Sequence, residues 1–189
     1  MDAVAPRNGS DDYVDSYYAA SANPAPLRPR LLGEETADIC VIGGGYTGLS
    51  ASIALLEKGY QVTLVEAERI GWGASGRNGG QIVNGLNAGL DKFERQYGKD
   101  VAAFAGSILQ EGAKLIRERV AKYRISCELK DRNLFTAFTA KQIKELEDKQ
   151  TLWRRFGMDD HELLDRDGVR RHVNTDAYAG GMIDHSGGQ

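Results

Sequence analysis

The chain has 189 residues, 41% apolar and 27% charged, which suits one or two packed domains and excludes a low-complexity or disordered polymer. With 24 basic against 27 acidic side chains, the net charge of −3 leaves no cationic field for nucleic acid or anionic lipid. Two cysteines without a Cys-x-x-Cys pair, and three scattered histidines, give neither a disulfide framework nor a metal-ligand cluster, so no metal is expected.

Residues 1–10 are polar and lack the basic and apolar regions of a secretion signal, so a disordered start is expected. Tyr13, Val14, Tyr17 and Tyr18 are spaced for a short helix, and Pro24, Pro26 and Pro29 then mark an extended linker. Residues 37–42, Ala-Asp-Ile-Cys-Val-Ile, read as a strand buried on both faces, with Cys40 as a small core residue. A helix over 46–58 follows, with Leu49, Ile53 and Leu56 inward and Gly59 as its stop. Residues 61–66, Gln-Val-Thr-Leu-Val-Glu, complete a β-α-β unit.

The glycine-rich stretch 71–89 predicts a loop with a short helix. Phe93, Tyr97, Val101, Phe104, Ile108, Ile116, Val120 and Tyr123 then recur at helical spacing, as two helices broken near Gly98. Residues 126–131 and 134–138 read as two strands around Arg132-Asn133. Thr139 and Gln142 form a capping box for a helix whose apolar stripe is Ile143, Leu146, Trp153 and Phe156, closed by Gly157. Asp165 caps a last short helix, the charges of 166–171 form a solvated face, and 180–184 is a final strand. No window reaches 18 consecutive apolar residues, so no membrane span is expected; the thiol usage points to a reducing, cytoplasmic setting.

The chemistry concentrates where the first strand meets the first helix. Gly43-x-Gly45-x-x-Gly48 follows a strand directly and opens a helix, as a dinucleotide site requires. Gly43 permits the tight turn, Gly45 lets backbone approach a pyrophosphate, and Gly48 lets helix and strand pack closely. The pyrophosphate would lie at the helix N-terminus, on free N–H groups and the positive end of the dipole. Glu66 ends the second strand about twenty residues on, where a carboxylate accepts from both ribose hydroxyls and repels a 2′-phosphate. This fingerprint leaves FAD and NAD open.

The second glycine cluster separates them. Residues 37–50, Ala-Asp-Ile-Cys-Val-Ile-Gly-Gly-Gly-Tyr-Thr-Gly-Leu-Ser, and 73–81, Gly-Ala-Ser-Gly-Arg-Asn-Gly-Gly-Gln, resemble the FAD-dependent amino acid and amine oxidases of the D-amino acid oxidase superfamily. Together with Tyr17-Tyr18-Ala19-Ala20-Ser21, they are most similar to its γ-glutamylputrescine oxidoreductase branch. The resemblance implies an α/β, Rossmann-like FAD-binding domain followed by the beginning of an α+β substrate domain. It divides the chain into a tail and linker (1–36), the FAD-binding βαβ and flavin loop (37–90), and a segment leading into the substrate domain (91–189). It also implies residue roles. Gly43, Gly45, Tyr46, Thr47 and Gly48 would cradle the pyrophosphate; Glu66, with Ala67 beside it, would hold the adenosine ribose. Ser75 would reach the pyrophosphate, and Arg77, Asn78, Gly79, Gly80 and Gln81 would run under the flavin ring. The 71–81 stretch has no His or Cys, so non-covalent FAD is expected.

The implied reaction moves a hydride from the carbon bearing an amine to flavin, with a small amine or amino acid as substrate and oxygen as acceptor. The histidines are read as surface or satisfied groups, with His185 the strongest catalytic candidate, and no catalytic residue is assigned. Two parallel strands cannot bury both faces of such a sheet, so a partial fold, incomplete at the C-terminus, is expected, with 180–184 as a possible third strand. The alternatives are an NAD-dependent dehydrogenase and a non-catalytic fragment of the cofactor domain.

Overall fold

The computed structural model describes residues 13–26, 28–86 and 89–189, so the expected disorder of residues 1–10 lies outside the described residues. The chain divides into two compact units, Met1–Gly79 and Gly80–Gln189.

In the first unit, a short helix α1 (Tyr17–Ser21) is capped by Ser16, whose hydroxyl accepts from the Ala19 N–H. The parallel pair β1 (Ile39–Ile42) and β2 (Val62–Val65) runs in register from Ile39 opposite Val62 to Ile42 opposite Val65. Helix α2 (Tyr46–Glu57) crosses between them, and Gly59 at φ 89° ends it in the left-handed region, as its lack of a Cβ allows.

Two expectations fail here for one reason. β1 is not buried on both faces: Ile42 is 86% exposed, and Cys40 is exposed rather than core. Leu56 also faces solvent, while Ser52 takes a buried place on α2. A two-stranded sheet with one helix on it has a single covered face, so β1 alternates between half-buried and exposed and β2 is half-buried along its length instead of being dry throughout.

The second unit opens with α3 (Leu90–Tyr97) and α4 (Lys99–Tyr123), separated at Gly98 with φ 86°. The break agrees with the sequence; the buried face does not. Tyr97, Val101, Phe104, Ile108, Ile116 and Tyr123 are all exposed. Instead α4 turns Ala102, Gly106 and Ala113 inward. A Cβ on Gly106 would lie 3.2 Å from the Phe156 Cβ, so small side chains bring this helix close to the core.

Three antiparallel strands follow in the order β3 (Asp131–Ala137), β5 (Gly180–Gly188), β4 (His161–Asp165). The expected pair of strands around Arg132-Asn133 is one strand. Arg132 sits at φ 78° in a register shift between Asp131 and Asn133, a bulge rather than a turn. β5 is the centre of this sheet, not a third parallel strand, and β4 has no counterpart in the sequence reading. Gly180 and Gly181 let the centre close up: a Cβ on Gly181 would meet the Phe135 carbonyl oxygen at 2.6 Å and the Val169 Cγ2 at 3.0 Å. Met182 and Ile183 then bury into opposite faces. Met182 joins Leu90, Ala102, Trp153, Phe156 and Met158, and Ile183 joins Leu164 and Val169.

Helix α5 (Ala140–Arg154) has the full capping box at Thr139 and Gln142, and Gly157 follows at φ 75°. Helix α6 (Arg166–Arg170) starts where the Asp165 carboxylate accepts the Gly168 N–H at 2.7 Å. Its arginines are exposed, while Gly168 and Val169 are buried. Among the described residues no helix is long and apolar enough to cross a membrane.

Candidate functional site

β1 delivers the glycine turn to the end of the sheet. The Gly43 N–H donates to the Val65 carbonyl at 2.8 Å, and φ of 100° turns the chain in a way a side chain would resist. Gly45 is the N-cap of α2 and provides no side-chain cap, which leaves the positive end of the helix open to an anion. A Cβ on Gly48 would run into the Gly43 carbonyl oxygen and lie 3.1 Å from its carbon, so helix and turn touch backbone to backbone.

The middle glycine is also required, which the fingerprint does not show because it treats this position as free. A Cβ on Gly44 would meet the Ile70 Cδ1 at 2.5 Å and the Glu66 Oε2 at 3.2 Å. The Gly44 N–H donates to Glu66 Oε2 at 2.5 Å, and its carbonyl accepts the Gly71 N–H at 3.0 Å. Gly44 thus ties the turn both to β2 and to the second glycine cluster. The only sequence signal was the unbroken Gly43-Gly44-Gly45 run.

Glu66 accepts from Gly44 on Oε2 and, at 3.1 Å, from the Glu68 N–H on Oε1. The Gly44 bond, then the Glu68 bond, hold its carboxyl below the usual carboxylate range against a smaller opposing effect of burial. The Ala67 N–H also draws on the carboxyl, so of the roughly four acceptor positions of an ionised carboxylate one remains for a hydroxyl donor such as a ribose. Ala67, next along, is exposed.

The second cluster folds over the start of α2. A single 3-10 turn, Ala74–Gly76, presents Ser75, whose Oγ accepts the Tyr46 N–H at 3.0 Å. Asn78 Nδ2 donates to the Tyr46 hydroxyl at 2.9 Å and to the carbonyls of Ala74 and Ser75 at 3.0 and 3.1 Å. So Gly43, Gly45, Tyr46, Gly48, Glu66, Ser75 and Asn78, taken from two separate stretches of sequence, are assembled in one place. Thr47 lies exposed on the first turn of α2. Arg77 donates from Nε to the Trp72 carbonyl at 2.8 Å. Gly79 ends the first unit, and Gly80 and Gln81 begin the second, where Gln81 lines a cleft with Lys130, Arg132 and Asn133.

This assembly tests for a dinucleotide by its shape as well as its chemistry. Backbone is bare where a Cβ would obstruct, the N-cap Gly45 brings no side chain to the helix end, and an ionised carboxylate stands at the end of β2. The profile of the FAD dependent oxidoreductase family matches residues 38–189. The chain belongs to the FAD-dependent oxidoreductase family. FAD is the cofactor of that family, and the residues present fit it. The chain is 47% identical over 177 residues to the γ-glutamylputrescine oxidoreductase of Escherichia coli, covering 94% of this chain and 42% of that protein. It is 38% identical over 178 residues to the probable oxidoreductase OrdL of Haemophilus influenzae, covering 94% and 41%. This member of the FAD-dependent oxidoreductase family therefore spans about two fifths of the length of the curated relatives it matches.

Solved structures of like fold include an L-amino acid deaminase from Proteus vulgaris, at TM-score 0.63 and 18% identity over 94% of this chain and 44% of that one. The L-proline dehydrogenase from P. horikoshii gives TM-score 0.60 at 20% identity, over 82% of this chain and 38% of that one. At such identities the likeness concerns fold alone. It agrees with the α/β, FAD-binding fold expected from the glycine motifs.

In the second unit, sequence reasoning missed a buried polar group. His161 and Asp184 face each other across β4 and β5, both side chains fully buried, with Nε2 and Oδ1 3.6 Å apart. His161 Nδ1 lies 3.2 Å from the Met158 carbonyl, which can only accept, so that nitrogen carries a proton. Asp184 Oδ1 accepts from the Ser186 N–H and hydroxyl at 2.9 and 2.6 Å and from the Gly187 N–H at 3.0 Å. Burial pushes the His161 imidazole below its usual range, and the Asp184 carboxylate pulls against it. His185, the favoured candidate from sequence, is half-exposed and 3.3 Å from Glu162. Among the described residues no three His, Cys, Asp or Glu converge as metal ligands.

Proposed function

We propose that this chain supplies the nucleotide-binding part of an enzyme that oxidises a small amine or amino acid of the γ-glutamylputrescine type, with oxygen as electron acceptor. FAD provides the two-electron redox chemistry; the protein binds and orients it. The observation that carries the reading is the convergence of Glu66, the start of α2 and Ser75 around the glycine turn.

In this reading the N-terminal turn of α2, at Gly45, Tyr46, Thr47 and Gly48, holds the pyrophosphate through N–H groups and the helix dipole. Ser75, already bound to the Tyr46 N–H through its oxygen, has a hydroxyl proton to direct at the anion. Glu66 accepts from a ribose hydroxyl, beside Ala67. Arg77, Asn78, Gly79, Gly80 and Gln81 form the segment for the flavin ring, and FAD is held without a covalent tether. Residues 37–90 act as the FAD-binding part, 1–36 as tail and linker, and 91–189 lead into the substrate domain. Two exposed, unpaired thiols support a reducing, cytoplasmic setting.

Titration of the purified chain with FAD, followed by quenching of flavin fluorescence, tests the cofactor role. Glu66→Gln keeps an acceptor for Gly44 but removes the charge, and should weaken binding about tenfold or more. Unchanged affinity refutes the ribose role. Oxygen uptake and peroxide release with γ-glutamylputrescine, assayed on a preparation containing the full family length, test substrate and acceptor.

A further inference from the structure

The matched family residues begin at 38, yet a side chain well before them reaches the glycine loop. The Tyr13 hydroxyl lies 3.0 Å from the Gly76 carbonyl oxygen and 3.3 Å from that of Gly71, the two ends of the tight turn that carries Ser75. Its ring packs against Trp72 at 5.3 Å between centroids. The Arg69 guanidinium covers that ring at 3.9 Å, and Arg77, itself bound to the Trp72 carbonyl, approaches it at 5.5 Å. Gly76 is the complement of this contact. A Cβ there would lie 2.8 Å from the Tyr13 hydroxyl and 3.0 Å from the Gly71 carbonyl carbon.

The loop is therefore held from two sides. Ser75 and Asn78 fasten it to α2 through Tyr46, and Tyr13 fastens its opposite side. The hydroxyl has one proton, shared between two converging carbonyls, with Gly76 the nearer acceptor. The ring, tilted against Trp72 and covered by a cation, resists rotation.

We propose that Tyr13 is a positioning residue for the cofactor loop, setting the place of Ser75 and Arg77 through Gly71, Trp72 and Gly76 without itself touching FAD. The proposal rests on the cofactor reading above. It makes the segment before β1 part of the binding apparatus rather than a passive linker.

Arg69 and Arg77 flank the loop and are trypsin sites, so loop order can be read without cofactor. Tyr13→Phe removes the hydroxyl and keeps the ring; Tyr13→Ala removes both. Cleavage after Arg69 and Arg77 should rise about fivefold in Tyr13→Phe and about thirtyfold in Tyr13→Ala. Cleavage after Arg154 and Arg155 should not change, which controls for global unfolding. FAD affinity should fall in the same order, with the phenylalanine variant retaining more than the alanine variant. Equal loop cleavage in all three proteins, with normal FAD binding, overturns the proposal. So does faster cleavage with unchanged FAD affinity. Absence of FAD binding both by the wild-type chain and by a preparation containing the full family length instead refutes the cofactor reading, and the cofactor role of Tyr13 falls with it.

Discussion

Gly48→Ala is the sharpest test of how the glycine turn is built. The added methyl would run into the Gly43 carbonyl oxygen and lie 3.1 Å from its carbon and 3.4 Å from Val41 Cγ1. The main obstacle is backbone, and that backbone is anchored by the 2.8 Å bond from the Gly43 N–H to Val65. Either α2 retreats from β1 or the turn distorts. Overpacking costs about 1–3 kcal/mol, and an anchored backbone obstacle belongs at ~3. Alanine returns about 1 kcal/mol of helix propensity, leaving a net loss of about 2 kcal/mol. Gly112→Ala is the control: it lies within α4, with nothing within 4 Å of its added methyl, and should gain about 0.5–1 kcal/mol. Hydrogen-exchange mass spectrometry on peptides covering β1 and α2 measures the first effect as roughly a thirtyfold rise in the opening constant. Exchange in Gly48→Ala equal to wild type would refute the close-packing argument. Equal destabilisation by Gly112→Ala would refute it as well, since that substitution meets no obstacle.

Thr139→Ala removes an acceptor that takes the Gln142 N–H at 3.3 Å, and should lower stability by about 1 kcal/mol, whereas Thr139→Ser should not. A thermal midpoint for the Gly80–Gln189 unit about 4 °C lower is the expected reading, and an unchanged midpoint counts against the capping box. Acidification tests His161, which faces Asp184 from β5, Lys149 from α5 and the neighbouring Asp160. Its folded pKa is depressed, so below about pH 6.5 the unfolded chain takes up a proton that the fold resists. Stability should hold above that pH and fall as pH drops below it. His161→Gln should flatten the dependence of the urea midpoint between about pH 7.5 and 5, and a slope preserved in the variant would show that other groups cause it.

The first unit was legible where local chemistry dictates structure. A β-branched run, a glycine turn and a terminal Glu66 specify β1, α2 and β2 with little help from elsewhere. Gly98, Thr139 with Gln142, and Asp165 likewise announced helix boundaries because a cap is a short-range interaction. Burial was less legible, because periodicity finds a stripe without saying what covers it. On α4 the large side chains of Val101, Phe104 and Ile108 made the louder pattern, yet the smaller Ala102, Gly106 and Ala113 make the contact. The bulge at Arg132 looked like a turn because a polar pair between apolar runs is common to both. β4 was missed since His161-Glu162-Leu163-Leu164-Asp165 has neither clean alternation nor β-branched residues, and its strand state comes from pairing with β5. At the site, the contacts of Gly44 and Tyr13 were not legible because their partners, Ile70 and Glu66 for one and Gly71 and Gly76 for the other, are distant in sequence.

Each of the two units contains one of the chain's two tryptophans. Trp153 is 5% exposed in the core beside Phe135, and its emission should lie toward the blue. Trp72 is only partly buried, among Tyr13 and the Arg77 guanidinium, and should emit further to the red. The protein thus carries two intrinsic dyes of different colour, one on the glycine loop and one in the antiparallel core. A denaturant series recorded at both ends of the emission band would resolve whether the units melt together or in turn. A flavin that settled near Trp72 would quench the red component first.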